Sequence, residues 1–181
     1  MLPKLFNKYG LLPPQYYALT LAELKKSLLV KGYAGKPPAW DSVWRLQLVN
    51  NLEILVKQLW RVGIVHIFIN GSFVEDKDHP NDIDGYFECD LLDLASGRLQ
   101  RELNLLDSHK IWTWDPDSRR FDTDSIKKEL PMWHVYRIEL YPHVDQDSGI
   151  KDKFGYNLKF PSAFRQSRQQ YRQKGIIKIK K

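Results

Sequence analysis

The stretch of sequence that decides the fold runs IFINGS at residues 67–72 and NDIDGYF at residues 81–87. The first segment is apolar and ends in Gly-Ser, and in the second two aspartates alternate with apolar residues. Such alternation is typical of a β-strand, and it places Asp82 and Asp84 on one face. Two neighbouring carboxylates repel each other unless a proton or a cation lies between them. Because hard oxygen ligands suit Mg²⁺, the pair predicts a metal site.

The Gly71-Ser72 pair supplies groups that suit a phosphate. A strand that turns at glycine into the start of a helix exposes backbone N–H groups, which favour an anion together with the helix dipole. Gly71 permits close approach of the backbone, and the Ser72 hydroxyl adds a donor. The two segments together predict a site for a nucleoside triphosphate that carries magnesium.

This order of features resembles the signature of the DNA polymerase β-like nucleotidyltransferase superfamily. In that signature an apolar residue, Gly and Gly or Ser precede a spacer and then Asp, an apolar residue, and Asp or Glu; the spacer here is residues 73–81. Gly85 departs from the pattern, because an apolar residue usually follows the second acid. A glycine inside a strand predicts a bulge or a close contact. The resemblance implies an α+β fold, with helices packed on one face of a small mixed β-sheet.

The resemblance also implies a reaction, the transfer of a nucleoside monophosphate from a triphosphate such as ATP to a hydroxyl on protein or RNA. Asp82 and Asp84 would hold two Mg²⁺ ions, with Mn²⁺ as a substitute. Gly71, Ser72 and Lys77 would contact the nucleotide. Small enzymes of this kind include members of bacterial toxin–antitoxin pairs, so a toxin–antitoxin or phage-defence setting is expected.

A third carboxylate comes from a later strand in this superfamily. The segment Ile138-Glu139-Leu140 matches the expected apolar-acid-apolar pattern, so Glu139 is the predicted third metal ligand and catalytic carboxylate. Asp145 and Glu88 are the alternatives, although Glu88 lies far along an extended strand from Asp82. The alternative function is a catalytically inactive module that keeps the fold and binds nucleotide, RNA or a partner, as an antitoxin does.

Charge is unevenly distributed along the 181 residues, which carry a net charge of +6. Residues 75–93 contain eight acidic side chains, whereas residues 165–181 contain seven basic and no acidic ones. An acidic centre attracts metal ions, and a basic end attracts polyphosphate or nucleic acid; otherwise the two segments pair with each other in the fold. The side chains expected to contact RNA are Arg165, Arg168, Arg172 and Lys174.

Composition indicates one nucleotidyltransferase-like domain, with residues 1–19 as an extended arm and residues 161–181 as a basic C-terminal segment. The single cysteine, Cys89, and the lack of a long apolar segment favour a cytoplasmic protein without membrane contact.

Sequence patterns predict the main elements. Helices are expected at residues 20–30, from a capping box at Thr20, and from Asp41 to just before Gly63. Further helical segments are expected at residues 90–94, 98–106 and 162–171. Strands are expected at residues 64–69, 82–89, 111–114, 133–141 and 176–180, the last of them at a sheet edge.

Overall fold

The computed structural model describes residues 2–123, 125–167 and 170–181, and a five-stranded mixed sheet lies at its centre. In chain order the strands are β1 (Tyr16–Thr20), β2 (Ile67–Asn70), β3 (Ile83–Glu88), β4 (Ile138–His143), β5 (Asp147–Lys151), β6 (Asn157–Lys159) and β7 (Ile176–Lys180). The central sheet has the order β1-β7-β2-β3-β4, and β5 pairs with β6 in a separate hairpin. Strand β2 runs antiparallel to β3 and β7, whereas β3 is parallel to β4 and β1 to β7. The predicted α+β class with a mixed sheet is confirmed.

Seven helices accompany the strands in the described ranges. They are α1 (Leu21–Lys26), α2 (Leu28–Lys31), α3 (Ser42–Arg61), α4 (Leu91–Ala95), α5 (Arg98–Leu106), α6 (Pro131–Tyr136) and α7 (Phe160–Ala163). The capping box at Thr20 and the Asp41 cap of α3 are confirmed. The single helix predicted for residues 20–30 is wrong, because Ser27 adopts extended backbone and its hydroxyl caps a second helix. No helix in the described ranges is both long and apolar enough to span a membrane.

The long helix α3 lies against one face of the sheet. Its buried stripe includes Leu48, Leu52, Leu55 and Leu59, which are fully inaccessible to solvent. These side chains pack into a single cluster with inward-facing residues of β2, β3, β4 and β7 and with α1, α2, α5 and α6. The stripe begins after the first turn, since Val43 is 82% exposed. The expected layer of helices on one sheet face is therefore present.

A smaller apolar cluster covers the opposite face of the sheet. Phe68, Tyr86 and Ile176 from the strands pack there against Phe160 and Phe164 at helix α7. The rings of Phe68 and Tyr86 stack with centroids 4.8 Å apart. This face carries the even-numbered side chains of β3, so Asp84 points to the same side as the aromatic cluster and away from α3.

The segment predicted as one strand over residues 133–141 is a helix followed by a strand. Pro131 occupies the first turn of α6, where its fixed φ angle and missing N–H are tolerated. Arg137 then takes a left-handed conformation with φ of 56° and ends the helix, and β4 begins at the next residue. Alternation over nine residues predicts a strand throughout, but the first part also fits one and a half helical turns.

The two ends of the chain pair with each other. Strand β1 comes from the predicted arm and pairs with β7, which places β7 between β1 and β2. The prediction that residues 176–180 form an edge strand is therefore wrong, and β1 is the edge. The predicted helix over 162–171 is replaced by the four-residue α7, and residues 168 and 169 lie outside the described ranges. Residues 111–114 form no strand in the described structure.

Candidate active site

The turn after β2 brings its backbone against an acidic side chain of β3. Gly71 begins a single 3₁₀ turn, Gly71–Val74, and has a φ angle of +71°. A Cβ atom at this position would lie 2.3 Å from Asp84 Oδ2 and 3.1 Å from Asp84 Cβ. Asn70 fixes the turn, since its side-chain oxygen accepts from Gly71 N at 2.8 Å and its amide donates to Gly175 O at 3.1 Å. Gly71 is therefore required both by its left-handed backbone and by its neighbour.

Three strands place polar side chains side by side at one end of the sheet. Asn70 of β2 pairs with Asp84 of β3, and Asp84 pairs with Glu139 of β4. Residues that pair across neighbouring strands have side chains on the same face. Gly85 follows Asp84 without a break in register, and a Cβ there would lie 2.4 Å from Phe68 O. The close contact predicted for Gly85 is thus present, and the register of β3 continues through it.

A cavity of about 680 Å³ opens over this end of the sheet. Its lining includes the five residues predicted to hold the nucleotide and the aspartate-bound metal: Gly71, Ser72, Lys77, Asp82 and Asp84. It also includes Tyr9, Trp133, Phe164, Glu129 and Lys127, from four other parts of the chain. Segments far apart in the sequence therefore meet around the predicted phosphate and metal groups.

Asp82 lies just before β3 and contacts helix α6. Its Oδ2 accepts a hydrogen bond from Trp133 Nε1 at 2.9 Å. Burial raises the pKa of Asp82, and the negative charges of Glu129 and Glu139 act in the same direction against the Trp133 bond and the Lys127 charge. The surroundings of Asp82 therefore disfavour its charged form, and a bound cation would favour that form instead.

Glu139 lies beside Asp84 but outside the cavity lining described above. Its side chain is 1% exposed, and both of its carboxylate oxygens accept hydrogen bonds. Oε1 accepts from Leu130 N at 2.9 Å and from Arg119 Nη1 at 3.3 Å, while Oε2 accepts from the Tyr141 hydroxyl. The predicted third carboxylate is therefore next to the aspartate pair and is held by the protein's own donors.

Sequence reasoning missed two charged residues in the loop before α6. Glu129 is 2% exposed and lines the cavity, and its Oε1 accepts from Ser125 Oγ at 2.7 Å. Lys127 Nζ lies 3.0 Å from Glu129 Oε2 and 3.9 Å from Glu139 Oε2. The only sequence signal was the Lys-x-Glu spacing before an apolar pair, which is common on solvent-exposed loops. Their approach to Asp82 and Asp84 depends on the tertiary fold.

Two cations fix the loop that follows Gly71. Arg45 of α3 is fully buried and donates to the carbonyl oxygens of Leu29 at 2.7 Å and Phe73 at 2.8 Å. It also donates to the carbonyl oxygens of Glu75 at 3.2 Å and Lys77, and its guanidinium lies 3.9 Å from the centre of the Trp40 ring. Burial lowers the pKa of Arg45 to about 10, partly offset by nearby aspartates. The buried guanidinium of Arg45 therefore holds the loop through hydrogen bonds to backbone carbonyl oxygens.

Lys174 approaches the same loop from the C-terminal segment. Its Nζ donates to Gly71 O at 3.2 Å and forms an ion pair with Glu75. Lys174 is 4% exposed and lines the cavity, so its predicted contact with RNA stays a prediction. The acidic centre and the basic end of the chain therefore do pair with each other at this contact.

The other predicted residues that the structure describes are not part of the cavity lining. Asp145 is 78% exposed and paired with Lys159 at 2.6 Å, so this alternative third carboxylate does not join the site. Glu88 lies at the far end of β3, 4.0 Å from His66. Arg165 stacks over Tyr16 at 4.7 Å and Arg172 over Tyr9 at 3.7 Å. Arg168 lies outside the described residues.

The comparison with protein families covers nearly the whole chain. Residues 4–180 match the model of a family of unknown function, DUF6932. The chain belongs to DUF6932. No curated protein and no solved structure matches it. Because the family description assigns no activity, the function of this DUF6932 chain is argued from its site.

The carboxylate oxygens of this DUF6932 chain fit a metal ion that binds together with a substrate better than one held by the protein alone. Within the described ranges, no three His, Cys, Asp or Glu side chains are arranged to hold a metal ion by themselves. Magnesium, however, is usually bound by one or two carboxylates together with substrate phosphates and water. Asp82 and Asp84, on one cavity beside the Gly71 turn, fit that second kind of site.

Proposed function

We propose that this protein is a metal-dependent nucleotidyltransferase that transfers a nucleoside monophosphate from a triphosphate to a hydroxyl on protein or RNA. The observation that carries the proposal is the meeting of the Gly71-Ser72 turn with Asp82 and Asp84 on one cavity. The alignment of Asp84 with Glu139 on adjacent parallel strands also supports it, because the resemblance implies a third carboxylate from a later strand.

The cavity has the charge and size for this substrate. A volume of about 680 Å³ lies within the ordinary range of ligand pockets. Lys77 and the turn at Gly71 and Ser72 would bind the β- and γ-phosphates, and buried Arg45 and Lys174 place positive charge behind that turn. The aromatic residues Tyr9 and Phe164 also line the cavity.

In the proposed reaction the acceptor oxygen attacks the α-phosphorus and the bond to the α–β bridging oxygen breaks. Pyrophosphate leaves with the bonding electrons, and the proton of the acceptor hydroxyl passes to a carboxylate of the cavity. A bound Mg²⁺ would supply charge neutralisation and lower the pKa of that hydroxyl. Asp82 and Asp84 would hold it, and Trp133 orients Asp82 through its indole N–H. Positioning and electrostatics carry most of the catalysis in such transfers.

One observation favours a second candidate, a nucleotide-binding module without turnover. Both oxygens of Glu139 already accept hydrogen bonds from the protein, so the third carboxylate is occupied internally. A module of this kind would bind a triphosphate in the same cavity and leave it intact.

The test uses triphosphates labelled at the α-phosphate, because that phosphate is the one transferred. Wild-type protein is incubated with Mg²⁺, each of the four ribonucleotides, and a cell extract fractionated into RNA and protein acceptors. We expect label in one fraction, lost by about 100-fold or more in Asp84→Asn, which removes a charge that would hold the metal. Asp117→Asn is the matched control, since Asp117 is exposed and outside the cavity lining.

The outcomes separate the two candidates. Label incorporated by wild type and by Asp117→Asn but not by Asp84→Asn supports the enzyme. Nucleotide bound in equilibrium dialysis without incorporation supports the module. Neither binding nor incorporation for any of the four nucleotides refutes both.

A further inference from the structure

Lys127 places an ammonium group among the carboxylates of the proposed site. Its Nζ lies 3.0 Å from Glu129 Oε2 and 3.9 Å from Glu139 Oε2, and it interacts electrostatically with Asp84. Both glutamates are almost fully buried, whereas the Lys127 side chain is half exposed and lines the cavity. Burial disfavours the charged form of Lys127, but the carboxylates outweigh this and raise its pKa. The ammonium group is therefore charged at neutral pH.

The hydrogen bonds of Glu139 also bear on how many metal ions the proposed site can hold. One oxygen is shared between Leu130 N–H and Arg119, and the other accepts from the Tyr141 hydroxyl. The Tyr141 hydroxyl in turn accepts from Arg119 Nη2 at 2.9 Å. A metal ion at this carboxylate would compete with these hydrogen bonds and with the Lys127 ammonium in a buried setting, where a lost hydrogen bond costs free energy.

The net charge of the side chains around Lys127 matches the charge of one divalent cation. Four carboxylates interact electrostatically with Lys127 or with one another in this region: Asp82, Asp84, Glu129 and Glu139. Two cationic side chains, Lys127 and Arg119, face them. Among these six side chains two negative charges remain, which is the charge that a single divalent ion neutralises. A second ion would add charge to a cluster that is already balanced.

We infer that the Lys127 ammonium takes the place of a second metal ion, so that the proposed site works with one divalent cation. This deepens the proposed function and rests on it, and it departs from the two-ion arrangement that the sequence resemblance implies. Asp82 and Asp84 hold the single ion on the cavity side. Lys127 neutralises the buried glutamates, and its flexible stem on an exposed loop presents the charge toward the cavity.

The test counts bound metal ions directly. Wild-type protein, Lys127→Met and Lys128→Met are dialysed against Mn²⁺ alone, and the ions per chain are measured by atomic emission and by the loss of the free Mn²⁺ spectrum in electron paramagnetic resonance. Lys128→Met is the matched control, because Lys128 is the adjacent exposed lysine and lies over the Phe121 ring at 5.6 Å. We expect one ion per chain in wild type and Lys128→Met, and two in Lys127→Met.

Lys127→Arg separates the loss of charge from damage to the loop. We expect it to bind one ion, as wild type does, with a circular dichroism spectrum unchanged in all variants. Two ions in wild type, or one ion in Lys127→Met with a native spectrum, would overturn the role of Lys127 and leave the proposed function intact. No bound Mn²⁺ in wild type, with or without α,β-methylene-ATP, would overturn both. If Lys127→Met fails to fold, two ions in Lys127→Arg overturn the inference and one ion supports it.

Discussion

Gly71→Ala separates the two reasons for glycine in the turn of the proposed site. The first is the φ angle of +71°, which costs an L-residue about 1–2 kcal/mol. In a chain of this size that loss lowers the melting temperature by roughly 2–8 °C. The second is the carboxylate of Asp84. A new Cβ would stand 2.3 Å from Oδ2, where ordinary contact begins near 3.4 Å, so the carboxylate must retreat.

The displacement of Asp84 sets the expected functional effect. A retreat of roughly 1 Å by a positioned group lowers a rate by about 100-fold. We therefore expect Gly71→Ala to lose Mn²⁺ affinity and nucleotidyl transfer while it stays folded. The assay pairs thermal melting with Mn²⁺ titration and transfer of α-labelled triphosphate.

Gly35→Ala is the matched control for backbone strain. Gly35 has a φ angle of +81°, and a Cβ there would meet no atom within 4 Å. It should lose melting temperature by a comparable amount and keep metal binding. If Gly71→Ala melts no lower than Gly35→Ala and binds Mn²⁺ as wild type does, the close approach to Asp84 has no functional meaning.

Two further predictions concern the groups around the turn. Arg45→Met leaves four carbonyl oxygens without their donor, so we expect a loss of at least ~3 kcal/mol and a melting temperature lower by roughly 6–12 °C. Arg61→Met, at an exposed position of the same helix, should melt like wild type, and an equal loss in both variants would contradict this role. Burial raises the pKa of Asp82 in the folded protein, so this carboxyl ionises at a lower pH in the unfolded chain than in the folded one. The wild-type free energy of unfolding should therefore decrease as pH rises above the ordinary pKa of aspartate. Asp82→Asn keeps an acceptor for Trp133 and should therefore melt above wild type at neutral pH, with the difference vanishing toward pH 3; a lower melting temperature at neutral pH would refute the argument.

The parts of this fold that depend on short-range patterns were accessible from the sequence. Alternation around Asp84 gave the strand and its two faces, because a strand side chain's direction repeats every two residues. The cap at Asp41 gave the start of α3 for an equally local reason. The two segments that were expected to form one site also lie together, since Gly71 is next to Asp84 and both line the cavity.

Long-range contacts account for what the sequence did not reveal. The pairing of β1 with β7 joins residues from opposite ends of the chain, and nothing in residues 16–20 indicates that partner. The same holds for Lys127 and Glu129, which come from a loop that reads as solvated polar sequence. Their position beside the aspartates depends on helix α6, because Trp133 of that helix donates a hydrogen bond to Asp82. The role of Arg45 could not be predicted for a different reason. A charged residue on a helix is ordinarily exposed, whereas Arg45 is fully buried.

The positive charges around the cavity divide into buried ones and a half-exposed one, and this division bears on how the proposed site would work. Arg45 and Lys174 are buried and bound to carbonyl oxygens of the loop at residues 71–77, so the turn is held in shape before any ligand arrives. Lys127 instead extends from an exposed loop into the acidic cluster. A preformed turn suits the β- and γ-phosphates of the proposed substrate, which leave together as pyrophosphate, while Lys127 neutralises the nearby buried carboxylates. Under the proposed function, the fold would preorganise the part of the site that binds phosphate, and Lys127 would adjust the charge of the part that binds the metal.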